Sequence, residues 1–176
     1  MAALLSRRPL DFVYLVYFSL HLVLSTLNIG LLFPPVLRLS VQQFYLIKHV
    51  MYTNDPLFRF RPAWFLSSVL TEAALQIPFF VIAILAFHRN SKFIYIPTLI
   101  YAVNACSTTF ACMADIAFGY DDTLPQADRK HLLFVYFHAL LVPALMTLDM
   151  ARRMRRWIPH SSASFEAENG SRRKYN

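Results

Sequence analysis

Residues 62–87 read PAWFLSSVLTEAALQIPFFVIAILAF, an apolar stretch interrupted by one ionisable side chain, Glu72. A helix needs roughly 17 to 25 mostly apolar residues to cross a bilayer, and this run is long enough. Three further stretches behave alike: 12–37, 93–114 and 132–148 carry no Asp, Glu, Lys or Arg at all. The fold class read from them is all-α, a four-transmembrane-helix bundle with spans at about 12–33, 63–87, 94–115 and 131–150. The first run follows Arg7 and Arg8 as a signal peptide would, but it is longer than the roughly 7 to 15 residues of a signal's apolar region and no Ala-x-Ala site follows.

Composition supports the same class. Hydrophobic residues make up 57% of the 176 and charged ones 15%, whereas a soluble domain is about a quarter charged. Only 3 glycines are present, which leaves no room for a phosphate-cradling loop or a dinucleotide fingerprint, and no cofactor is expected. The net charge of +7 does not point to nucleic acid, because the basic residues cluster where a span ends. Arg152, Arg153, Arg155 and Arg156 directly follow the last apolar run, a placement suited either to anionic lipid head groups or to fixing topology. Cys106 and Cys112 lie too far apart along one helix to bond, and read as buried thiols.

With four spans both termini share a side. Eleven Lys and Arg fall on that side and six on the other, so the positive-inside rule places both ends in the cytosol. A membrane domain of residues 1–158 is then followed by a flexible basic tail, 159–176. The tail closes on Arg172, Arg173, Lys174, Tyr175 and Asn176, similar to a dibasic signal for retrieval to the endoplasmic reticulum. In the first loop Val41, Phe44, Tyr45, Met51 and Tyr52 recur at helical spacing after Ser40, a suitable N-cap, and Asn54-Asp55-Pro56 is a turn signal. A short amphipathic lumenal helix is expected there.

Polar residues inside the spans form stripes. Tyr14, Tyr17, His21, Ser25 and Asn28 share one helix face; Ser68, Glu72 and Gln76 share another; Tyr101, Asn104, Thr108 and Asp115 make a third; and His131, His138 and Asp149 a fourth. Such groups normally face the bundle interior, either as hydrogen-bonding glue between helices or as a site. Glu72 is the strongest site candidate, a carboxyl at mid-span that is expected to be protonated or to share a hydrogen bond with Gln76, His21 or Asn28. Together the stripes predict a pocket that runs from the midplane toward the lumen, walled by Phe79, Phe80, Phe110 and Tyr136. Its expected ligand-binding residues are Glu72, Gln76, His21, Ser25, Asn28, Asn104, Thr108 and His138. Asp149 is expected to pair with Arg152 and Arg153 one turn on. His131 and His138 are too sparsely accompanied for a metal site, and none is expected.

Asn54-Asp55-Pro56-Leu57, Pro62-Ala63-Trp64-Phe65 and Glu72 with Gln76-Ile77-Pro78-Phe79-Phe80, continued by Ile96-Pro97, Ile100-Tyr101, Val135-Tyr136 and Leu141-Val142-Pro143, carry a family resemblance. The pattern is similar to the EXPERA group, which includes the sigma-2 receptor and the emopamil-binding protein, a sterol isomerase. The resemblance implies a multi-pass protein of the endoplasmic reticulum membrane, with a role in sterol or lipid homeostasis or transport. Its pocket would take sterols and cationic amphiphiles. By it Glu72 corresponds to the buried pocket acid, Gln76 to a pocket amide and Asp55 to a structural acid at the pocket roof. Where the family carries an aspartate near the lumenal end of the first helix, this chain has Asn28, which favours a neutral occupant.

Three functions stay open at this point: binding of a sterol or other membrane lipid; a double-bond isomerase using Glu72 with His21, for which proton transfer needs a donor and a base at the ring; and a scaffold for another membrane protein. A membrane-protein partner or a homodimer fits any of them.

Overall fold

The computed structural model describes residues 9–120 and 123–156. Arg7, Arg8 and the 159–176 tail with its basic motif lie outside the described residues. In chain order the helices are α1 (Pro9–Asn28), α2 (Ser40–Thr53), α3 (Pro56–Phe60), α4 (Ala63–Thr71), α5 (Ile77–His88), α6 (Tyr95–Phe118) and α7 (Gln126–Arg155). Together with short 3₁₀ and π turns they form four rods long and apolar enough to cross a membrane: span 1 (Pro9–Leu32), span 2 (Ala63–His88), span 3 (Lys92–Phe118) and span 4 (Gln126–Arg155). Prolines and left-handed residues punctuate them. Pro56 opens α3 and Pro125 caps α7, while Asn54, Arg61 and Asn90 turn the chain at φ 50°, 51° and 54°.

Span 4 begins earlier than position 131. Its first turn is polar, so apolar counting misses it, yet Asp128 suits a helix N-terminus and accepts a hydrogen bond from Asn54 Nδ2 at 3.0 Å. The loop helix α2 forms as expected, but Ser40 is its first helical residue and not its cap. Gln42 takes the capping role: its Oε1 accepts from the Leu39 backbone N–H at 3.2 Å, and its Nε2 donates to the Thr26 carbonyl at 2.8 Å, tying α2 to span 1. The apolar residues Val41, Phe44, Met51 and Tyr52 face outward, whereas Leu46 is buried against the bundle. The approach is close enough that span 1 has Gly30 here; a Cβ would lie 3.0 Å from Gln42 Cβ.

Span 2 holds a feature that periodicity does not reveal. Between α4 and α5, Glu72–Gln76 form a π turn, closed by the Ile77 N–H on the Glu72 carbonyl. Pro78 explains its place, since it has no N–H to offer the carbonyl of Ala74 and an α-helical ladder fails there.

Dense packing pairs span 1 with α5 and span 3 with span 4, so neighbours in sequence are neighbours in space. Two buried clusters result. One, toward the termini, centres on Phe18, Phe80, Phe87, Tyr101, Met146 and Met150. The other, under the first loop, joins Leu57, Phe58, Phe65, Val69, Ile116 and Leu132. Outside, Leu20, Val23, Leu75, Ile100 and Leu145 are exposed, as lipid-facing side chains are.

At the termini end the buried Asp11 accepts from Arg153 at 2.5 Å, Arg153 reaches Asp149 at 2.8 Å, and Tyr14 donates to Asp149 at 2.9 Å. Asp149 thus pairs with Arg153, four residues on; Arg152 points outward, exposed to the surroundings.

Candidate functional site

Between the two clusters lies a cavity of about 280 Å³ to which all four spans and the first loop contribute. Glu72 lines it at the π turn, where the extra residue of the turn sets its carboxyl toward span 1. Its partner is Ser25, whose hydroxyl donates to Oε1. The expected partners Gln76, His21 and Asn28 do not take that bond, because the wider turn moves Glu72 onto the Ser25 level.

Gln76 lines the same cavity and donates to Asn104 Oδ1 at 3.1 Å, bridging span 2 to span 3. Asn104 itself is exposed and outside the cavity; it holds Gln76 instead of meeting a ligand. Thr108 does line the wall, with its hydroxyl returned to the Asn104 carbonyl at 3.1 Å. At the deep end Tyr17 and Tyr101 share a hydroxyl–hydroxyl bond of 3.0 Å, which joins the two helix pairs at mid-bundle. His21 stacks on Tyr17 with ring centroids 4.0 Å apart, and its Nδ1 lies 3.3 Å from the Tyr17 carbonyl. A carbonyl only accepts, so Nδ1 carries the proton and donates to it.

Asn28 also lines the cavity, and its Oδ1 is buried with no hydrogen-bond partner among the described residues. A buried acceptor without a donor costs about 1 to 3 kcal/mol, a cost that an occupant with an O–H or N–H would remove.

His138 is placed differently from its expected role. It sits on the outward face of α7, exposed, with Nδ1 2.7 Å from the Phe134 carbonyl. A stripe through His131, His138 and Asp149 does not exist as one inward face: the residues of span 4 that line the cavity are Leu132, Val135, Tyr136, Ala139 and Pro143. Asp115 is likewise outside the cavity and accepts from Tyr120 at 3.0 Å; burial first, and this bond second, push the Tyr120 phenol up to about 12, so it remains a donor. The walls are also reassigned. Phe79 and Phe80 pack on Phe18 in the core, and Phe110 faces outward, 66% exposed. Tyr136 does line the cavity, joined by Phe58 and Phe65.

The roof centres on Asp55, which is fully buried. Its Oδ1 caps α3 by accepting from the Leu57 N–H at 2.9 Å, and Oδ2 accepts from Tyr136 at 2.9 Å and faces His49 Nε2 at 3.3 Å. His49 was not legible as a site residue because it lies in the first loop, outside the four apolar spans whose polar stripes mark the pocket. It stacks on Phe58 at 4.2 Å and lines the cavity with Thr53. Among the described residues no three His, Cys, Asp or Glu side chains come together as a metal ion would need.

The arrangement is an apolar chamber with two carboxyls, Glu72 and Asp55, two histidines, His21 and His49, and the amide acceptor of Asn28. The family model described as EXPERA (expanded EBP superfamily) matches residues 39–150. A Xenopus tropicalis protein named sigma intracellular receptor 2 is 34% identical over 155 residues, which is 81% of this chain and 88% of that protein. The human protein of the same name is 30% identical over 164 residues, 86% and 93% of the two chains. Efficient mitochondria targeting-associated protein 19 of Schizosaccharomyces pombe is 27% identical over 158 residues, covering 85% and 79%.

Proposed function

Since the chain belongs to the EXPERA family and is a multi-pass membrane protein, we propose that it binds a sterol, or a neutral hydrophobic molecule of that class, inside the bundle and serves sterol or lipid homeostasis or transport. One observation carries the reading: a mostly apolar cavity lined by all four spans includes a buried acceptor with no partner among the described residues, Asn28 Oδ1. A rigid apolar body bearing one hydroxyl fits that combination. The volume of about 280 Å³ stands near the lower end of ligand sites, roughly 300 to 1,000 Å³, which favours a compact occupant. Because Asn28 carries no charge, no carboxylate stands at its position to attract an amine. Lipid extraction from the purified protein followed by mass spectrometry tests the reading. A recurrent sterol supports it, and preparations that carry only bulk phospholipid count against it.

A second reading, sterol double-bond isomerisation, is favoured by a specific observation: Asp55 reaches the same cavity as Glu72, so two acids and His21 face one chamber. Glu72→Gln separates the two. The amide keeps the shape and a donor, so affinity for a neutral sterol should fall by only about 1 kcal/mol. Were Glu72 a general acid, the same change would cut turnover by about 10²- to 10⁴-fold while binding persisted. Sterol affinity and double-bond migration are measured together in one membrane preparation. Migration in the wild type that vanishes in the variant overturns the binding-only reading.

We place both termini in the cytosol and the protein in the endoplasmic reticulum. Tags at residues 1 and 176 should both be digested by protease added to sealed microsomes, and changing Arg173 and Lys174 to Ser should release part of the protein from that compartment. A protected tag contradicts the orientation; unchanged localisation removes the address.

A further inference from the structure

A second concavity lies at the opposite end of the bundle from the first loop, with a volume of about 480 Å³, and shares no residue with the central cavity. Its walls are the start of span 1 at Pro9 and Leu10, the turn between spans 2 and 3 at Lys92 and Tyr95, and the last turns of span 4. Those last turns contribute Arg152, Arg153 and Arg156 with Asp149. We propose that this cleft binds the phosphate-bearing head group of an anionic glycerophospholipid.

Charge is the first support. Four cations meet two carboxylates here, Asp149 in the wall and Asp11 behind it, and both carboxylates are engaged by Arg153. Arg153 is held in place by them, with its guanidinium 5.2 Å from the Tyr95 ring and 5.9 Å from the Tyr14 ring. Arg152 and Arg156 are exposed and do not enter that ion-pair cluster. The site therefore has an excess of positive charge around a rigid centre, and guanidinium groups match phosphate oxygens in a planar, two-pronged way.

Position is the second support, and it selects a lipid over a free phosphate. The cleft lies where spans 1, 3 and 4 reach the membrane surface, the level of head groups. Leu10 in its wall is 47% exposed, and Phe93, next in sequence to the lining Lys92, is 61% exposed. Acyl chains can run along them while the phosphate sits among the arginines, which a solitary anion does not require. A basic tail that only fixes topology needs no concavity and no immobilised arginine.

The test uses the full chain in nanodiscs of phosphatidylcholine alone or doped with phosphatidic acid, with bound lipid counted by native mass spectrometry and thermal unfolding followed in parallel. Arg153 is left untouched because it supports the fold; Lys92→Gln, Arg152→Gln and Arg156→Gln are combined. Wild type should retain phosphatidic acid and melt higher in its presence. The triple variant should bind it on the order of a hundredfold more weakly, and Arg152→Gln or Arg156→Gln alone about fivefold, in line with the contribution of a basic residue at an anionic surface. If the triple variant fails to fold, the single variants decide. Equal retention by wild type and variants overturns the proposal, as does equal retention of phosphatidylcholine. Inorganic phosphate added to phosphatidylcholine discs that stabilises the protein as well as phosphatidic acid does would overturn the lipid as occupant.

Discussion

Arg153→Ala should lower the stability of the purified protein by about 3 to 5 kcal/mol, the loss typical of leaving one half of a buried ion pair behind. The side chain of Asp11 is 2% exposed and that of Arg153 16%, so the pair is shielded from water in the folded bundle. Two connections fail at once, since Arg153 also fixes Asp149, which receives the Tyr14 hydroxyl. Thermal or denaturant unfolding in detergent reads the effect, with the exposed Arg152→Ala as a control that should stay within about 0.5 kcal/mol. Asp11→Asn combined with Arg153→Met should lose less than Arg153→Ala alone, because no charge is then stranded. Matching curves for Arg153→Ala and Arg152→Ala would show that the cluster holds nothing together.

Asp55→Ala is the other large effect, expected at about 2 to 4 kcal/mol. Loss of the α3 cap accounts for about 0.5 to 2 of that, and the orphaned Tyr136 hydroxyl, buried beside the cavity, for about 1 to 3. Sterol binding should fall with stability, since His49 and Tyr136 both line the cavity and both lose the carboxylate that positions them. Asp55→Asn keeps an oxygen for the Leu57 N–H and should be milder. Unfolding and affinity are to be measured on the same preparations. A variant that folds as well as wild type but no longer binds would place Asp55 in contact with the ligand.

The apolar runs made the four-helix architecture legible, and Glu72 stood out because nothing else in its run is charged. Its partner did not. Ser25 was in the right stripe, but a straight α-helix aims Glu72 elsewhere, and the π turn that redirects it depends on Pro78 and tertiary packing. His138 lies elsewhere for a related reason: a stripe with a single polar residue per two turns does not define an inward face, and Ala139 lines the cavity instead. Asn104 shares its stripe with Tyr101 and Thr108, which do line the cavity, whereas Asn104 itself does not and the neighbouring Ala105 does. Asp55 was readable from its Pro56 neighbour as a turn acid, but the sequence left open whether the start of span 2 around Trp64 or a tyrosine of span 4 holds it, and only the closed bundle brings Tyr136 there. The Asp11–Arg153 pair was beyond reach, since 142 positions separate its members and only the closed bundle brings them together.

Chain order acquires a meaning from the two helix pairs. A membrane protein is inserted from its N-terminal end, so spans 1 and 2 meet lipid before spans 3 and 4 exist. Ser25 and Glu72 both belong to that first pair, and the costliest group at mid-bilayer therefore has its partner from the outset. Gln76 and Asp11 differ, since Asn104 and Arg153 are synthesised later, and Asp55, which already caps α3 through the Leu57 N–H, gains Tyr136 only with span 4. The second pair thus arrives as a set of matching contacts for groups already waiting, at the deep end, at the roof and at the termini end. Span 4, which brings Tyr136 to Asp55 and Arg153 to Asp11, completes the set of contacts.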